Sequence, residues 1–262
     1  MMGPHHAMTG AAAWIAVTAT AGHGLALFPV TPLGTLSGAL LCAGAALLPD
    51  ADHPSATVSQ SVPVVGRLVT TGISRVSGGH RHGLHSVLAV YCAWLIASGL
   101  TQLAWSPAWW PEPLGIGVAV MSAAIIAFAA KVLNMTRGSW GAAWLIGAGL
   151  ATLITLYAPE QQDWFVVCFT LGYAVHLLGD LVTAGGLPLF WPWVLPPPKI
   201  WSRAPELNAL WTRGGNFALP LLGTSGSLRE WLLLIPVTAY VGYGVLYASL
   251  DAAGVSLELV RR

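Results

Sequence analysis

The chain has 262 residues, of which only 8% are charged, and its mean hydropathy is +0.68. Because about a quarter of the residues in a typical soluble domain are charged, this composition excludes an ordinary soluble protein and predicts a membrane protein surrounded by a lipid bilayer. The net charge of +1 argues against a nucleic-acid partner. The thirteen tryptophans agree with this prediction, since indole rings favour the membrane–water interface.

Seven apolar runs follow one another along the chain, and a membrane span takes roughly 20 helical residues. They cover residues 11–30, 33–48, 86–104, 114–130, 139–157, 164–182 and 231–250. The second run is short because Pro49 ends it. We therefore predict an all-α, polytopic transmembrane helix bundle of about six to seven spans. Residues 187–201 are too rich in proline for a regular helix, so we expect an interfacial loop rich in proline and tryptophan there.

The loops between these runs differ in charge. Lysine and arginine occur in the segments 50–85, 131–138 and 183–230. The only charged residues in the segments 105–113 and 158–163 are acidic. By the positive-inside rule the first group faces the cytoplasm, and seven alternating spans satisfy this arrangement with a cytoplasmic N-terminus. The basic pair Arg261 and Arg262 runs against it for the last span. We expect a multi-pass protein of the cell (inner or plasma) membrane.

Histidine and aspartate are concentrated in four short segments. Seven of the eight histidines and three of the ten acidic residues lie in residues 4–7, 48–54, 79–86 and 176–180. In the predicted topology all four segments reach the same, cytoplasmic face of the membrane. Imidazole nitrogens and carboxylate oxygens are the donors that divalent metal ions take from proteins, so this convergence predicts a metal site.

Each segment also has a simpler interpretation. His176 and Asp180 are four residues apart and share one helix face, which is equally consistent with a hydrogen bond inside the membrane. Asp50 and Asp52 follow a helix end, where the helix dipole disfavours negative charge, but they could also lie in a solvated loop. The three histidines of residues 79–86 could belong to a basic loop. His23 stands alone in the first run and is predicted to be a buried structural histidine.

The motifs resemble those of the YdjM family, which is described as LexA-regulated, membrane-bound, metal-dependent hydrolases. Residues 48–54 read LPDADHP, residues 79–86 read GHRHGLHS, and residues 172–192 read GYAVHLLGDLVTAGGLPLFWP. The family pattern runs LPDxDHP, then HRxxTHS, then HxxxDxxTxxGxxxxWP. His6, a few residues before a glycine, resembles the usual opening. One departure is Leu84, which stands where the family has threonine.

The resemblance implies a set of site residues and a reaction. The implied metal ligands are His6, Asp50, His80, His85, His176 and Asp180. Asp52 and His53 are expected to bridge a second ion or to take a proton from the attacking water, and Arg81 to hold an anionic group such as a phosphate. The expected cofactor is a divalent ion, Zn, Mn or Mg, in one or two copies. The expected substrate is a lipid or lipid-linked phosphoester, and residues 1–192 would form the hydrolase-like domain, followed by the loop and last helix in residues 193–262.

Two other functions remain open at this stage. Histidine and aspartate inside a membrane also build proton relays and ion pathways, so an ion- or proton-coupled transporter is the main alternative. The clustering of polar residues at one face argues against it, because an ion path needs ionisable groups in its other half as well. A metal-stabilised scaffold that recruits partners is the third interpretation.

Overall fold

The computed structural model describes residues 1–20, 22–53, 56–62, 65–78, 81–201 and 205–255. The described chain is mostly helical. Its α-helices are α1 (Gly3–Thr18), α2 (Pro32–Ala45), α3 (Val65–Ser77), α4 (Val87–Thr101), α5 (Ile116–Val132), α6 (Trp140–Tyr157), α7 (Gln161–Leu181), α8 (Pro205–Asn208) and α9 (Leu228–Ala252). Short 3-10 turns occupy Pro49–Asp52, Val58–Gln60 and Gly83–His85, and two short strands, β1 (Ala104–Trp105) and β2 (Leu114–Gly115), pair antiparallel.

Four regions are long and apolar enough to cross a membrane, among the residues that the structure describes. They are Pro32–Asp52, Trp140–Tyr157, Gln161–Leu181 and Leu228–Ala252. Val87–Thr101 and Ile116–Val132 are apolar but shorter. The predicted transmembrane helix bundle is therefore confirmed in its class, whereas the count of six to seven spans is not established by length and hydropathy.

The first apolar run differs from its prediction. The run predicted a helix over residues 11–30, but α1 begins at Gly3 and ends at Thr18. Pro4 lies in the first turn of α1, a position where its missing N–H costs no hydrogen bond. The earlier start places His5 and His6 inside the helix, where both are buried, rather than in a tail before it.

Side-chain caps set the starts of several helices. The hydroxyl of Thr31 accepts a hydrogen bond from the Gly34 N–H at the start of α2, and Pro32 occupies the first turn. Ser86 caps α4 in the same way. Each cap satisfies one of the four N–H groups that a helix start leaves without a partner. The Ser86 cap also fixes where the chain turns after His85.

Glycines let α2 pack closely between α1 and α7. A Cβ atom on Gly10 of α1 or on Gly172 of α7 would lie within 2.7 Å of the Cys42 carbonyl oxygen of α2. Close approach through small residues is the usual way in which helices associate in a membrane, because lipid provides no hydrophobic driving force between them. This packing brings the start of α1 and the ends of α2 and α7 to one end of the bundle.

Helix α3 is amphipathic. Its apolar residues recur at the spacing of one helix face, at Leu68, Gly72, Ile73 and Val76, which is the pattern of a helix lying at a surface. The helix packs against the 3-10 turns before it and the turn after it. It therefore covers the same end of the bundle at which α1, α2 and α7 meet.

Candidate metal centre

The four polar segments of the sequence meet at one end of the helix bundle. His6 comes from the start of α1, and Asp50 comes from the turn after α2. His85 comes from the turn before α4, and both His176 and Asp180 come from the last turns of α7. Segments from both ends of the range 6–180 therefore share one buried site.

Four side-chain atoms form the centre of the cluster. Nε2 of His85 lies 3.3 Å from Nε2 of His176. Oδ1 of Asp50 lies 3.6 Å from the His85 nitrogen and 3.7 Å from the His176 nitrogen. Oδ2 of Asp180 lies 3.7 Å from each of the same two nitrogens. These atoms are buried apart from Asp50, whose side chain is 28% exposed.

The separations fit a shared divalent ion. Nitrogen and oxygen donors about 2.0–2.2 Å from a tetrahedral ion lie roughly 3.3–3.6 Å from each other, and the distances above are 3.3–3.7 Å. Two imidazoles and two carboxylates suit zinc or manganese. The partial exposure of Asp50 leaves one side of the cluster open, as a site that admits a substrate requires.

A polar group lies behind each of the two central imidazoles. Nδ1–H of His176 donates to the Ala46 carbonyl oxygen at 2.7 Å, which leaves the Nε2 lone pair directed at the cluster. Nδ1 of His85 lies 3.5 Å from Oδ2 of the buried Asp52. A carbonyl or carboxylate on the far nitrogen is the usual arrangement behind metal-bound histidines, because it fixes both the tautomer and the ring orientation. This contact favours an orienting role for Asp52.

The carboxylates also control the charge of His85. Burial by itself lowers the pKa of the His85 imidazole, but Asp50 and Asp52 favour its charged form more strongly, and the pKa rises from 6.5 to about 9. Without an ion the cluster therefore holds a proton between carboxylates. A site that attracts positive charge in this way is suited to a metal cation.

His6 adds a third imidazole. Its ring stacks on His176 with ring centroids 3.7 Å apart, and its Nε2 lies 3.3 Å from Oδ1 of Asp180. Neither ring nitrogen of this fully buried residue makes a hydrogen bond within the described part of the chain. A buried imidazole without hydrogen bonds is costly, and a metal ion would satisfy it.

Two overlapping groups of donors can be drawn. One contains His85, His176 and Asp180, and the other contains His6, Asp50 and His176; within each group the donor atoms lie no more than 4.8 Å apart. His176 belongs to both, yet its Nδ1 is already bonded to Ala46. Because one nitrogen binds one ion, two ions could share the cluster only if the carboxylates bridged them.

Arg81 lies at the edge of the cluster. Its Nη2 atom is 3.6 Å from Oδ1 of Asp180, and its side chain is 25% exposed. The guanidinium also fills the space over Gly185, where a Cβ atom would clash with Nη1. Arg81 therefore places a partly exposed positive charge between solvent and the cluster.

The remaining predicted site residues, His53 and His80, follow Asp52 and precede Arg81, respectively, in the sequence. His53 ends the Pro49–Asp52 turn and is partly buried. His80, predicted as a ligand, lies outside the described residues. Thr183, at the end of the third motif, donates to the Asp180 carbonyl oxygen at 2.7 Å and so stabilises the helix end that carries Asp180.

Two contributors were missed by the sequence interpretation. The carboxylate of Glu230, in the first turn of α9, accepts hydrogen bonds from the Met2 and Gly226 N–H groups, both at 2.7 Å, and contacts Nδ1 of His5. Its neighbour His5 is fully buried there. An acidic residue at the edge of an apolar run is the signal that could have indicated Glu230.

Comparison with known proteins identifies the family of the chain. A family model described as YdjM inner membrane protein matches residues 1–250, well beyond residue 192, where the recognisable motifs end. The inner membrane protein YdjM of Escherichia coli K12 is 38% identical over 50 residues, which cover 17% of this chain and 26% of the relative. The protein of the same name from Shigella flexneri gives the same values. The alignment thus spans about a quarter of the length of these relatives.

No solved structure matches the chain. Both the family match over nearly the whole chain and the apolar helices indicate a membrane protein. The chain belongs to the YdjM inner membrane protein family and lies in a lipid bilayer.

Proposed function

We propose that the protein is a membrane-embedded, metal-dependent hydrolase that acts on a phosphoester at the cytoplasmic membrane face. The observation that supports this most is the convergence of His85, His176, Asp50 and Asp180 from separate segments at distances of 3.3–3.7 Å. A merely structural polar core would not need two carboxylates placed beside the same pair of imidazole nitrogens.

The residues of the cluster would have different roles in such a reaction. Asp50, His85, His176 and Asp180 would hold the ion, with His6 beside them as a further ligand. When bound, a divalent ion polarises the bond under attack and makes a water molecule more acidic. Asp52 and the Ala46 carbonyl keep the two central imidazoles in the orientation that ligation needs.

Proton transfer and substrate binding fall to neighbouring residues. Of the two residues expected to accept a proton, Asp52 lies behind His85, which leaves His53 as the proposed general base. Arg81 supplies a partly exposed guanidinium next to the ligand Asp180. A guanidinium matches the oxygen geometry of phosphate, which favours a phosphoester over an uncharged ester or amide.

The transporter alternative has less support. The described His and Asp groups of the cluster gather at one end of the bundle, whereas His23 lies at the other end against Tyr243 and Tyr247. The side chains between these two ends include the fully buried Trp14, Ile15 and Leu41. A column of such side chains does not provide a polar path.

The direct test is metal-dependent turnover. The purified protein in detergent, loaded with Zn, Mn or Mg, is assayed with a panel of phosphoesters and amides, alongside His53→Ala and His23→Ala variants. We expect phosphate release that a chelator abolishes, that His53→Ala reduces at unchanged metal content, and that His23→Ala leaves intact. A fully metal-loaded protein with no turnover on the panel would contradict the hydrolase and favour the scaffold.

A further inference from the structure

An open apolar cavity adjoins the metal cluster. It has a volume of about 770 Å³ and lies between α3, α4, α5 and α7, within the range of about 300–1,000 Å³ that small-molecule sites occupy. Its walls are mostly hydrocarbon, contributed by Leu68, Ile73, Leu88, Ile96, Met121 and Phe169 among others.

The cavity and the metal cluster share one wall. Ala51 lines the cavity and stands between Asp50 and Asp52. Gly83 and Leu84 line it and immediately precede His85. Tyr173, which also lines it, donates a hydrogen bond to the Leu84 carbonyl oxygen at 2.8 Å. Only the main chain of these segments would therefore separate a molecule in the cavity from the proposed metal ligands.

The surroundings determine the class of molecule that fits. Helix α3 presents Leu68, Ile73 and Val76 to the cavity, and an amphipathic helix of this kind lies in the membrane interface with its apolar face toward the acyl region. A cavity beneath that face opens where lipid chains, not water, are abundant. Water in such a space would lack the polar partners it needs.

The charge at the edge of the cavity adds a second requirement. Arg81 lies two residues before Gly83 and is partly exposed beside Asp180. An occupant that used both features would combine an apolar tail with an anionic head. We propose that the cavity binds a hydrocarbon chain of a phosphate-bearing membrane lipid, whose phosphate lies at Arg81 and the metal cluster. The assignment of this lipid as the substrate rests on the proposed function. The binding of the lipid in the cavity does not depend on that function.

Photocrosslinking in a bilayer tests the site without using turnover. The full chain is reconstituted with metal into phosphatidylcholine vesicles containing a minor fraction of phosphatidic acid that carries a diazirine on one acyl chain. Crosslinked positions on α4 are then mapped by mass spectrometry. All four residues Tyr91, Cys92, Leu95 and Ile96 are exposed, but Cys92 and Ile96 line the cavity. Tyr91 and Leu95 lie on other faces of the same helix and act as internal controls of similar exposure.

Two matched glycine variants separate the cavity from the general lipid surface. Gly72 of α3 lines the cavity and Gly99 of α4 does not, and a Cβ atom on either would meet nothing within 4 Å. Gly72→Phe places a ring at the cavity wall, and Gly99→Phe adds the same ring to an exposed helix surface. Metal content and size-exclusion behaviour show whether each variant is folded.

We expect crosslinks to concentrate at Cys92 and Ile96 and to fall about tenfold in Gly72→Phe, the factor expected when roughly two methylene groups lose apolar contact. Gly99→Phe should retain them. Equal labelling of Tyr91 and Leu95, or unchanged labelling in a folded Gly72→Phe, would overturn the proposal. If Gly72→Phe does not fold, competition tests the site instead. Unlabelled phosphatidic acid should suppress the cavity crosslinks, and equal suppression by diacylglycerol, which has the same chains and no phosphate, would overturn the phosphate requirement.

Hydrolysis of a short, water-soluble phosphoester, measured in parallel, keeps the two proposals apart. Cavity crosslinks without any hydrolysis would sustain the lipid site and contradict the hydrolase. Hydrolysis without cavity crosslinks would sustain the hydrolase and contradict the lipid site.

Discussion

The Nε2 atoms of His85 and His176 lie 3.3 Å apart, although 91 residues separate them in the chain. The Ala46 carbonyl holds His176 from behind, and the buried Asp52 carboxylate lies 3.5 Å behind His85. Two lone pairs directed at one point repel each other unless a proton or a cation lies between them. This pair is therefore the core of the proposed metal centre.

Asp52→Asn tests the support behind His85. The substitution removes the charge that orients the imidazole, and loss of such a partner typically weakens metal binding 10–100-fold. Competition with a chromogenic chelator measures the change. Asp163→Asn, an exposed position in the first turn of α7 at the far end, is the control and should bind as the wild type does. Equal affinity in both variants would show that Asp52 does not position His85.

Gly185→Ala tests the placement of Arg81. A Cβ atom at Gly185 would clash with Nη1 of Arg81, so the guanidinium must move while the metal ligands stay in place. We expect unchanged metal content and roughly tenfold weaker binding of inorganic phosphate, the loss typical of one hydrogen bond to a charged group. Elemental analysis measures the metal content, and isothermal titration calorimetry measures the phosphate affinity.

The control for this variant is Gly214→Ala, where the nearest atom to the new Cβ is 3.8 Å away. The double variant Gly185→Ala with Arg81→Ala should bind phosphate no more weakly than Arg81→Ala alone, because both changes remove the same contact. Additive losses would mean that Gly185 acts through something other than Arg81.

Glu230→Ala tests the attachment of the first helix. Glu230 accepts hydrogen bonds from Met2 and Gly226 and contacts the buried His5. Its removal leaves the buried imidazole without this partner, at a cost of about 1–3 kcal/mol. We expect a lower thermal midpoint in detergent and weaker metal binding, because His6 loses its support. Glu230→Gln keeps an acceptor oxygen and should lie between the variant and the wild type. Unchanged metal binding in Glu230→Ala would show that the attachment of α1 does not affect the metal site.

Cysteine labelling tests the orientation in the membrane. In a Cys92→Ala background, Cys42 and Cys168 remain fully buried. Met135→Cys lies in the loop between α5 and α6, at the basic end, and Glu112→Cys lies in the acidic loop before β2. An impermeant maleimide applied to intact cells should label Glu112→Cys, and should label Met135→Cys only after permeabilisation. The reverse pattern would place the metal site outside the cytoplasm.

The helical membrane class and the meeting of distant motifs could be predicted from the sequence, because composition and residue chemistry are local properties. The boundary of α1 could not, since a hydropathy window does not detect that the helix begins at Gly3 and ends at Thr18. Helix α3 was missed because its polar face hides it from a search for apolar runs. The spacing of Leu68, Ile73 and Val76 contains the signal that a helical period would have found.

The roles of individual polar residues were harder to predict. Asp52 stands in the same motif as Asp50, and nothing in the sequence distinguishes a ligand from a carboxylate behind a ligand; the structure separates them by burial and by which nitrogen of His85 each one faces. Glu230 lies 225 residues from His5, so only the fold reveals their contact.

Elemental analysis of the protein purified in detergent without chelator tests the metal centre most directly. The wild type and His23→Ala should each retain at least about one equivalent of a divalent metal, as a buried site built from imidazoles and carboxylates should. His85→Ala, His176→Ala and Asp50→Ala should each lose most of it while remaining folded. Absence of metal from the wild type, or an equal loss in His23→Ala, would contradict the proposed centre.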